Sequence, residues 1–233
     1  MKTIGVLGGM SWESTVTYYR VMNEEVKRRL GGWHSAHLVL YSVDFEAIQV
    51  LQHQDDWPAT AHILGEAARR LESAGAECLV LATNTMHKVA PDIESAISIP
   101  LLHIADAAAR RLAEGRHETI GLLGTRFTME QDFYAARLQD KFGIDTLIPP
   151  EADREIVHRV IYQELCLGRT EETSRREYQR IIRELHDRGA TAVILGCTEI
   201  ALLVPPETSD IPLLDTARVH AEYAVEWSLS SDQ

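Results

Sequence analysis

The sequence predicts an α/β protein made of two pseudo-symmetric tandem α/β halves with parallel-type sheets, and an active site in the cleft between them. Three observations carry that prediction: short apolar runs lack polar alternation, helical stretches separate them, and the pattern of the first half returns in the second. Strands covered on both faces by crossover helices read as such unbroken Val/Ile/Leu runs.

The elements follow in order. Ile4–Leu7 is a buried strand that runs into the glycine turn Gly8-Gly9, and Thr15–Leu30 has helical length and period. Leu38–Val43 is the next strand and Pro58–Ala74 the next helix. Cys78–Ala82 then delivers the polar block Thr83-Asn84-Thr85-Met86-His87 at a strand end. In the second half, Ile120–Leu123 runs into Gly124-Thr125, and Glu155–Leu167 and Thr173–Arg188 read as helices. Ala192–Leu195 is a strand that delivers Gly196-Cys197-Thr198-Glu199. Strands alternating with helices at this spacing imply a parallel sheet.

The echo between halves is ordered along the chain. Ile4-Gly5-Val6-Leu7-Gly8-Gly9 returns 116 positions later as Ile120-Gly121-Leu122-Leu123-Gly124-Thr125. Tyr18-Tyr19 returns as Phe133-Tyr134, 115 positions on, and Leu81-Ala82-Thr83-Asn84-Thr85 returns as Leu195-Gly196-Cys197-Thr198-Glu199, 114 positions on. Ile99-Pro100-Leu101-Leu102-His103 returns as Ile211-Pro212-Leu213-Leu214-Asp215, 112 positions on. A fixed, slowly drifting offset marks a duplicated unit. The joint falls near Gly115–Thr119, with halves 1–115 and 116–233 whose chain ends are free to cross over. Ligands of open α/β sheets bind beyond the carboxyl ends of the strands. Thr83 and Cys197, at matching strand ends, are therefore expected to approach one ligand from opposite sides.

Charge and composition narrow the partners. The 233 residues carry 23 Lys+Arg against 35 Asp+Glu, a net charge of −12, with 45% hydrophobic and 25% charged residues. That is the composition of a soluble globular protein, and its acidic balance opposes binding to nucleic acid or an anionic membrane. No apolar run approaches the roughly 20 residues of a membrane span, and the first strand leaves no signal-peptide core. Three cysteines, Cys78, Cys166 and Cys197, form no disulfide framework. A cytoplasmic protein with reduced thiols is expected.

Cys197 is the leading candidate nucleophile or base. A thiol at a strand end, close to a helix N-terminus, is expected to have its pKa lowered and to exist partly as thiolate. Cys78 lies inside a strand and Cys166 inside a helix, so both read as core. In Thr83-Asn84-Thr85, backbone N–H groups, hydroxyls and the amide suit a carboxylate, although Thr83 or Thr85 serves equally as a helix cap. His87, four residues after Thr83, sits one helical turn away. Gly8-Gly9-Met10-Ser11 fits neither dinucleotide nor P-loop spacing and reads as a turn that lets a small anion approach the backbone. Thr125 is its partner in the repeat. The ten histidines are scattered; His34 with His37, and His53 with His62, lack a cysteine or carboxylate cluster at ligand spacing and read as surface residues, so no metal is expected. No lysine stands at a strand end to carry pyridoxal, and Arg126 is the one basic candidate for a second substrate carboxylate.

These motifs together, Ile4-Gly5-Val6-Leu7-Gly8-Gly9-Met10-Ser11, Ala82-Thr83-Asn84-Thr85-Met86-His87 and Leu195-Gly196-Cys197-Thr198-Glu199, resemble the aspartate/glutamate racemase family from end to end. The resemblance implies two α/β domains, no cofactor, a homodimer, and α-proton transfer between two cysteines, one from each half. It implies Met10, Gln52, Asn84, Thr85 and Thr198 around the substrate, with Thr125 a further candidate; Gln52 alone also fits a solvated helix position. His87 and Glu199 are second-tier residues that orient these groups. One departure matters: the family's first cysteine is Thr83 here. A hydroxyl can donate a proton but is a poor base near neutral pH. The expected activity is racemisation of glutamate or aspartate, acting mainly on the L-enantiomer, with Cys197 as base and Thr83 as opposing donor. The alternatives are a racemase of other amino acids, a single-cysteine maleate-type isomerase or malonate decarboxylase, and a non-catalytic amino-acid-binding protein.

Overall fold

The computed structural model describes residues 1–230. Its strands are β1 (Ile4–Gly8), β2 (Leu38–Ser42), β3 (Cys78–Leu81), β4 (Leu101–Leu102), β5 (Thr119–Gly124), β6 (Asp145–Leu147), β7 (Ala192–Gly196) and β8 (Leu213–Asp215). They form two four-stranded sheets, ordered β2-β1-β3-β4 and β6-β5-β7-β8, and every pairing is parallel. Adding four to each strand number of the first sheet yields the second, so the echo read in the sequence is an identity of topology.

The helices are α1 (Trp12–Leu30), α2 (Phe45–His53), α3 (Trp57–Ser73), α4 (Ala90–Ser95), α5 (Ile104–Glu114), α6 (Arg126–Glu130), α7 (Asp132–Phe142), α8 (Glu151–Gln163), α9 (Glu172–Asp187), α10 (Ile200–Leu203) and α11 (Thr216–Leu229). Three of the five expected strands run one residue beyond their expected end, to Gly8, Gly124 and Gly196, while β2 and β3 stop one residue short, at Ser42 and Leu81. The expected helix 155–167 is instead α8 followed by a separate 3₁₀ turn at Leu165–Leu167, which leaves Cys166 half-buried in that turn. Cys78 is fully buried, as a core cysteine should be.

The second sheet shows why unalternated strands lie at the centre. Leu123, Val193 and Leu195 pack on one face against Val157, Val160, Ile161, Tyr178, Ile181 and Leu185 from α8 and α9. Ile120, Leu122, Ala192 and Ile194 pack on the other face against Ala105, Ala108, Leu112, Tyr134 and Leu138 from α5 and α7. Neighbouring residues of one strand thus meet apolar helices on opposite sides, and a polar residue at either position would lose its water without replacement.

The packing units are Met1–His103 with the chain from His220, and Ile104–Val219. This differs from a division at 115/116. The alanine-rich face of α5 fits closely over β5 and β7, so the helix belongs with the sheet that follows it. The other shift is at the end of the chain. Lys2 N donates to Ser228 O at 2.9 Å and Ser228 Oγ to Lys2 O at 2.8 Å, which ties the last helix to the entry of β1.

Candidate active site

In the second unit, β5 and β7 are adjacent with Gly124 opposite Gly196, so Thr125 and Cys197 leave the sheet side by side at its carboxyl end. Cys197 Sγ donates to Glu199 Oε2 at 3.0 Å, and Thr198 Oγ1 donates to the same oxygen at 2.7 Å. Cys197 and Glu199 are both buried. Burial first, and then the Glu199 carboxylate, push the Cys197 thiol well above its ordinary value. The expected thiolate is therefore corrected: the resting group is a thiol that donates to Glu199. The helix assumed to depress its pKa is α10, a single turn that begins only at Ile200, and an adjacent carboxylate with desolvation outweighs so short a dipole. The Cys166, Cys197 and Glu199 charges, added to burial, raise the Tyr162 phenol as well. Tyr162 and Cys166 thus belong to the surroundings of Cys197, although the sequence reading gave Cys166 to the core and did not weigh Tyr162.

Thr198 spends its hydroxyl proton on Glu199, which makes it an orienting group for that carboxylate. The Thr125 side chain caps α6, accepting from Thr128 N at 3.3 Å. Arg126 has its guanidinium on Glu155, with Glu130 at 3.9 Å, and its backbone N–H donates to His158 Nδ1 at 3.1 Å. The one basic candidate for a second substrate carboxylate is thus engaged in exposed ion pairs.

In the first unit the equivalent position is Thr83. Ala82 N extends the β3 ladder to Leu7 O at 2.9 Å, and Thr83 N turns back to Leu81 O at 2.8 Å. The Thr83 carbonyl accepts from His87 Nδ1 at 2.8 Å. No hydrogen bond engages the Thr83 hydroxyl among the described residues. It caps no helix: the 3₁₀ turn Thr85–Val89 starts at Asn84 without a side-chain cap. Thr83, Asn84, Thr85 and His87 are all buried, as is Met10 on the neighbouring turn.

The glycine turn is packed closely by the chain. A Cβ on Gly8 would lie 2.5 Å from the Thr15 side chain, and one on Gly9, at φ +93°, 2.3 Å from Val43 O. Gly9 N–H donates to Thr15 Oγ1 at 2.8 Å. Close backbone packing thus requires glycine at positions 8 and 9, and the Gly9 N–H is already engaged. Gln52, on α2, is buried at 2% exposure, and its Oε1 has no hydrogen-bond partner. That settles its position: it is no solvated helix residue. A buried cluster of His87, His103 and His220 went unnoticed in the sequence because its members lie far apart in the chain. His34, His37, His53 and His62 are exposed. No group of His, Cys, Asp and Glu among the described residues could hold a metal, and no helix there is long and apolar enough to cross a membrane.

The sequence pattern of the Asp/Glu/Hydantoin racemase family matches residues 7–224. The chain belongs to that family. Membership in the Asp/Glu/hydantoin racemase family, a family of isomerases, agrees with the solved structures the chain resembles. A Yersinia pestis protein classed with the Asp/Glu racemases is 53% identical, with a TM-score of 0.92 over 99% of this chain and 100% of that one. An aspartate racemase homologue from Pyrococcus horikoshii OT3 is 32% identical, with a TM-score of 0.84 over 99% and 100%. The broad specificity amino-acid racemase RacX of Bacillus subtilis (strain 168) is 22% identical across 97% of this chain and 98% of its own.

Within this racemase the two strand-end sites are unequal. One offers a thiol hydrogen-bonded to a buried carboxylate, and the other a hydroxyl on a backbone held from both sides.

Proposed function

We propose that the protein is a cofactor-independent amino-acid racemase acting on glutamate or aspartate, with Cys197 as its base and Thr83 as its proton donor. The observation that carries this reading is the Cys197–Glu199 hydrogen bond, with a lone hydroxyl, Thr83, at the equivalent position of the other sheet. Glu199 accepts the thiol proton, the thiolate removes the α-proton of the L-enantiomer, and the Thr83 hydroxyl delivers a proton to the other face. The Thr83 oxygen then recovers its proton from water, and the hydroxide so formed takes the proton from Glu199, so that thiol, carboxylate and hydroxyl all return to their starting states.

The α-hydrogen of an amino acid is a very weak acid, so the carbanion needs oriented donors in a water-poor site. Asn84 and Thr85 hold the substrate carboxylate in this reading, and the unpartnered Gln52 Oε1 accepts from the substrate ammonium. Met10 and Thr125 complete the surroundings, and Thr198 keeps Glu199 aimed at the thiol. The protein acts as a homodimer.

Preference for the L-enantiomer takes a specific kinetic form. The free enantiomers have equal free energy, so kcat/KM is equal in the two directions. The asymmetry between thiol and hydroxyl therefore appears in kcat, which is higher from the L side, and in a correspondingly lower KM from the D side.

Proton NMR in D₂O tests the proposal, with L-glutamate and D-glutamate at saturation in separate tubes beside a Cys197→Ala control. Faster loss of the α-proton signal from the L tube, abolished in the control, is the expected result. Equal saturating rates would overturn the enantiomer preference. If neither glutamate nor aspartate exchanges, the substrate assignment falls; consumption of a malonate or a maleate instead would identify a decarboxylase or an isomerase of the same fold.

A further inference from the structure

We propose that His87 is the positioning residue of the Thr83 proton donor, its ring packed against the buried His103 and His220; this deepens the racemase reading and rests on it. His87 Nδ1 lies 2.8 Å from Thr83 O. A carbonyl oxygen can only accept, so Nδ1 carries the proton and donates. Together with Thr83 N–H on Leu81 O, this bond holds the peptides on both sides of residue 83. The side chain that leaves that backbone, a hydroxyl without a partner of its own, is thereby aimed by its main chain alone.

Behind His87 lies a buried polar cluster. The His87 ring meets His103 edge-to-face at 4.3 Å between centroids, and His220 at 5.9 Å. His220 Nε2 donates to Leu102 O at 2.6 Å, which in the neutral ring leaves Nδ1 to accept from the Tyr18 hydroxyl at 2.9 Å. All four side chains are at most 4% exposed. Buried polar groups of this kind cost stability unless each is satisfied, and when satisfied they specify one arrangement. The equivalent turn in the second unit has Ala201 where His87 stands, and supports its thiol with Glu199 instead. Each strand-end group is thus served differently: a base needs a proton acceptor beside it, whereas a donor without one needs a fixed direction.

The test compares His87→Asn, whose side-chain N–H falls near the Nδ1 position, with His87→Gln, whose N–H falls near Nε2. Saturating racemisation of L-glutamate, KM and the thermal midpoint are measured for both, and histidine ¹⁵N spectra of the unsubstituted protein report the His87 tautomer. The expected result is a protonated Nδ1, a fall in kcat of about 10- to 100-fold in His87→Gln with KM within about twofold, and recovery of most of the loss in His87→Asn at similar thermal midpoints. Equal losses in both variants, an unchanged kcat in His87→Gln, or a proton on Nε2 would overturn the role of His87 while leaving the racemase reading intact. An unsubstituted protein that racemises no amino acid would overturn both.

Discussion

Cys197 and Glu199 share one proton: Sγ donates to Oε2 across 3.0 Å, in surroundings that hold the thiol well above its ordinary pKa. In the proposed mechanism that thiol acts only once the carboxylate beside it has taken the proton. Replacing Glu199 by Gln keeps the shape and removes the acceptor. α-Proton exchange from L-glutamate should fall by about 100-fold or more, the scale of a lost general base. The same change removes a negative charge, so the pH midpoint for alkylation of Cys197 by iodoacetamide should move down while staying above the ordinary thiol value of about 8.5, because burial remains. A midpoint that rises or stands still would contradict the assigned roles.

Thr83→Cys supplies a second thiol at the end of β3. A thiol loses a proton far more readily than a hydroxyl, so kcat from D-glutamate should rise by about tenfold or more, while kcat from L-glutamate changes less. NMR exchange from the D tube measures this directly.

Gln52 carries a buried oxygen without a partner. Such an atom costs the fold about 1–3 kcal/mol, so Gln52→Leu should leave thermal stability unchanged or raise it. In the proposed reading that oxygen accepts from the substrate ammonium, so the KM for glutamate should rise by about tenfold. Loss of stability without a change in KM would assign Gln52 to the core.

Tyr134 is the control for that logic. Its hydroxyl is buried without a hydrogen-bond partner between α5 and the second sheet, and it stands outside the proposed chemistry. Tyr134→Phe should hold or gain about 1 kcal/mol in urea unfolding, with racemisation unaffected.

Glu25 gives a signature in acid. Its hydrogen bond to Arg28 first, and then Arg29, outweigh burial and hold its carboxyl at about 2. A folded-state pKa below the unfolded one means that this contribution is complete above about pH 4.5 and is lost as pH falls toward 2. The difference in urea midpoint between the unsubstituted protein and Glu25→Gln should therefore shrink steadily between pH 5 and pH 2. A difference that is constant over that range would assign Glu25 no net electrostatic role.

Much of the fold was legible because its central strands are buried on both faces and say so in unbroken apolar runs, and because the chain states its pattern twice. β6 escaped notice: Asp145–Leu147 is a three-residue edge strand, partly exposed, with no apolar run to mark it. The place of Cys197 at a strand end was legible, but the direction of its pKa was not. Dipole reasoning from the sequence counted the helix ahead and not the carboxylate two residues on, nor the depth of burial. The His87 network was invisible for another reason: residues 18, 87, 103 and 220 come together only through tertiary packing, and no local spacing announces them.

The chain passes between its two packing units twice, after His103 and after Val219. A ribosome therefore completes the second unit before the first. When residue 219 has been added, the sheet β6-β5-β7-β8 has all its strands and α5 beside it, whereas the first unit still lacks His220 for Tyr18 and Ser228 for Lys2. Domains tend to fold as whole units during synthesis. The half written first is thus the half finished last, and a stop codon placed just before His220 would spare the later sheet while leaving the earlier one without its final helix.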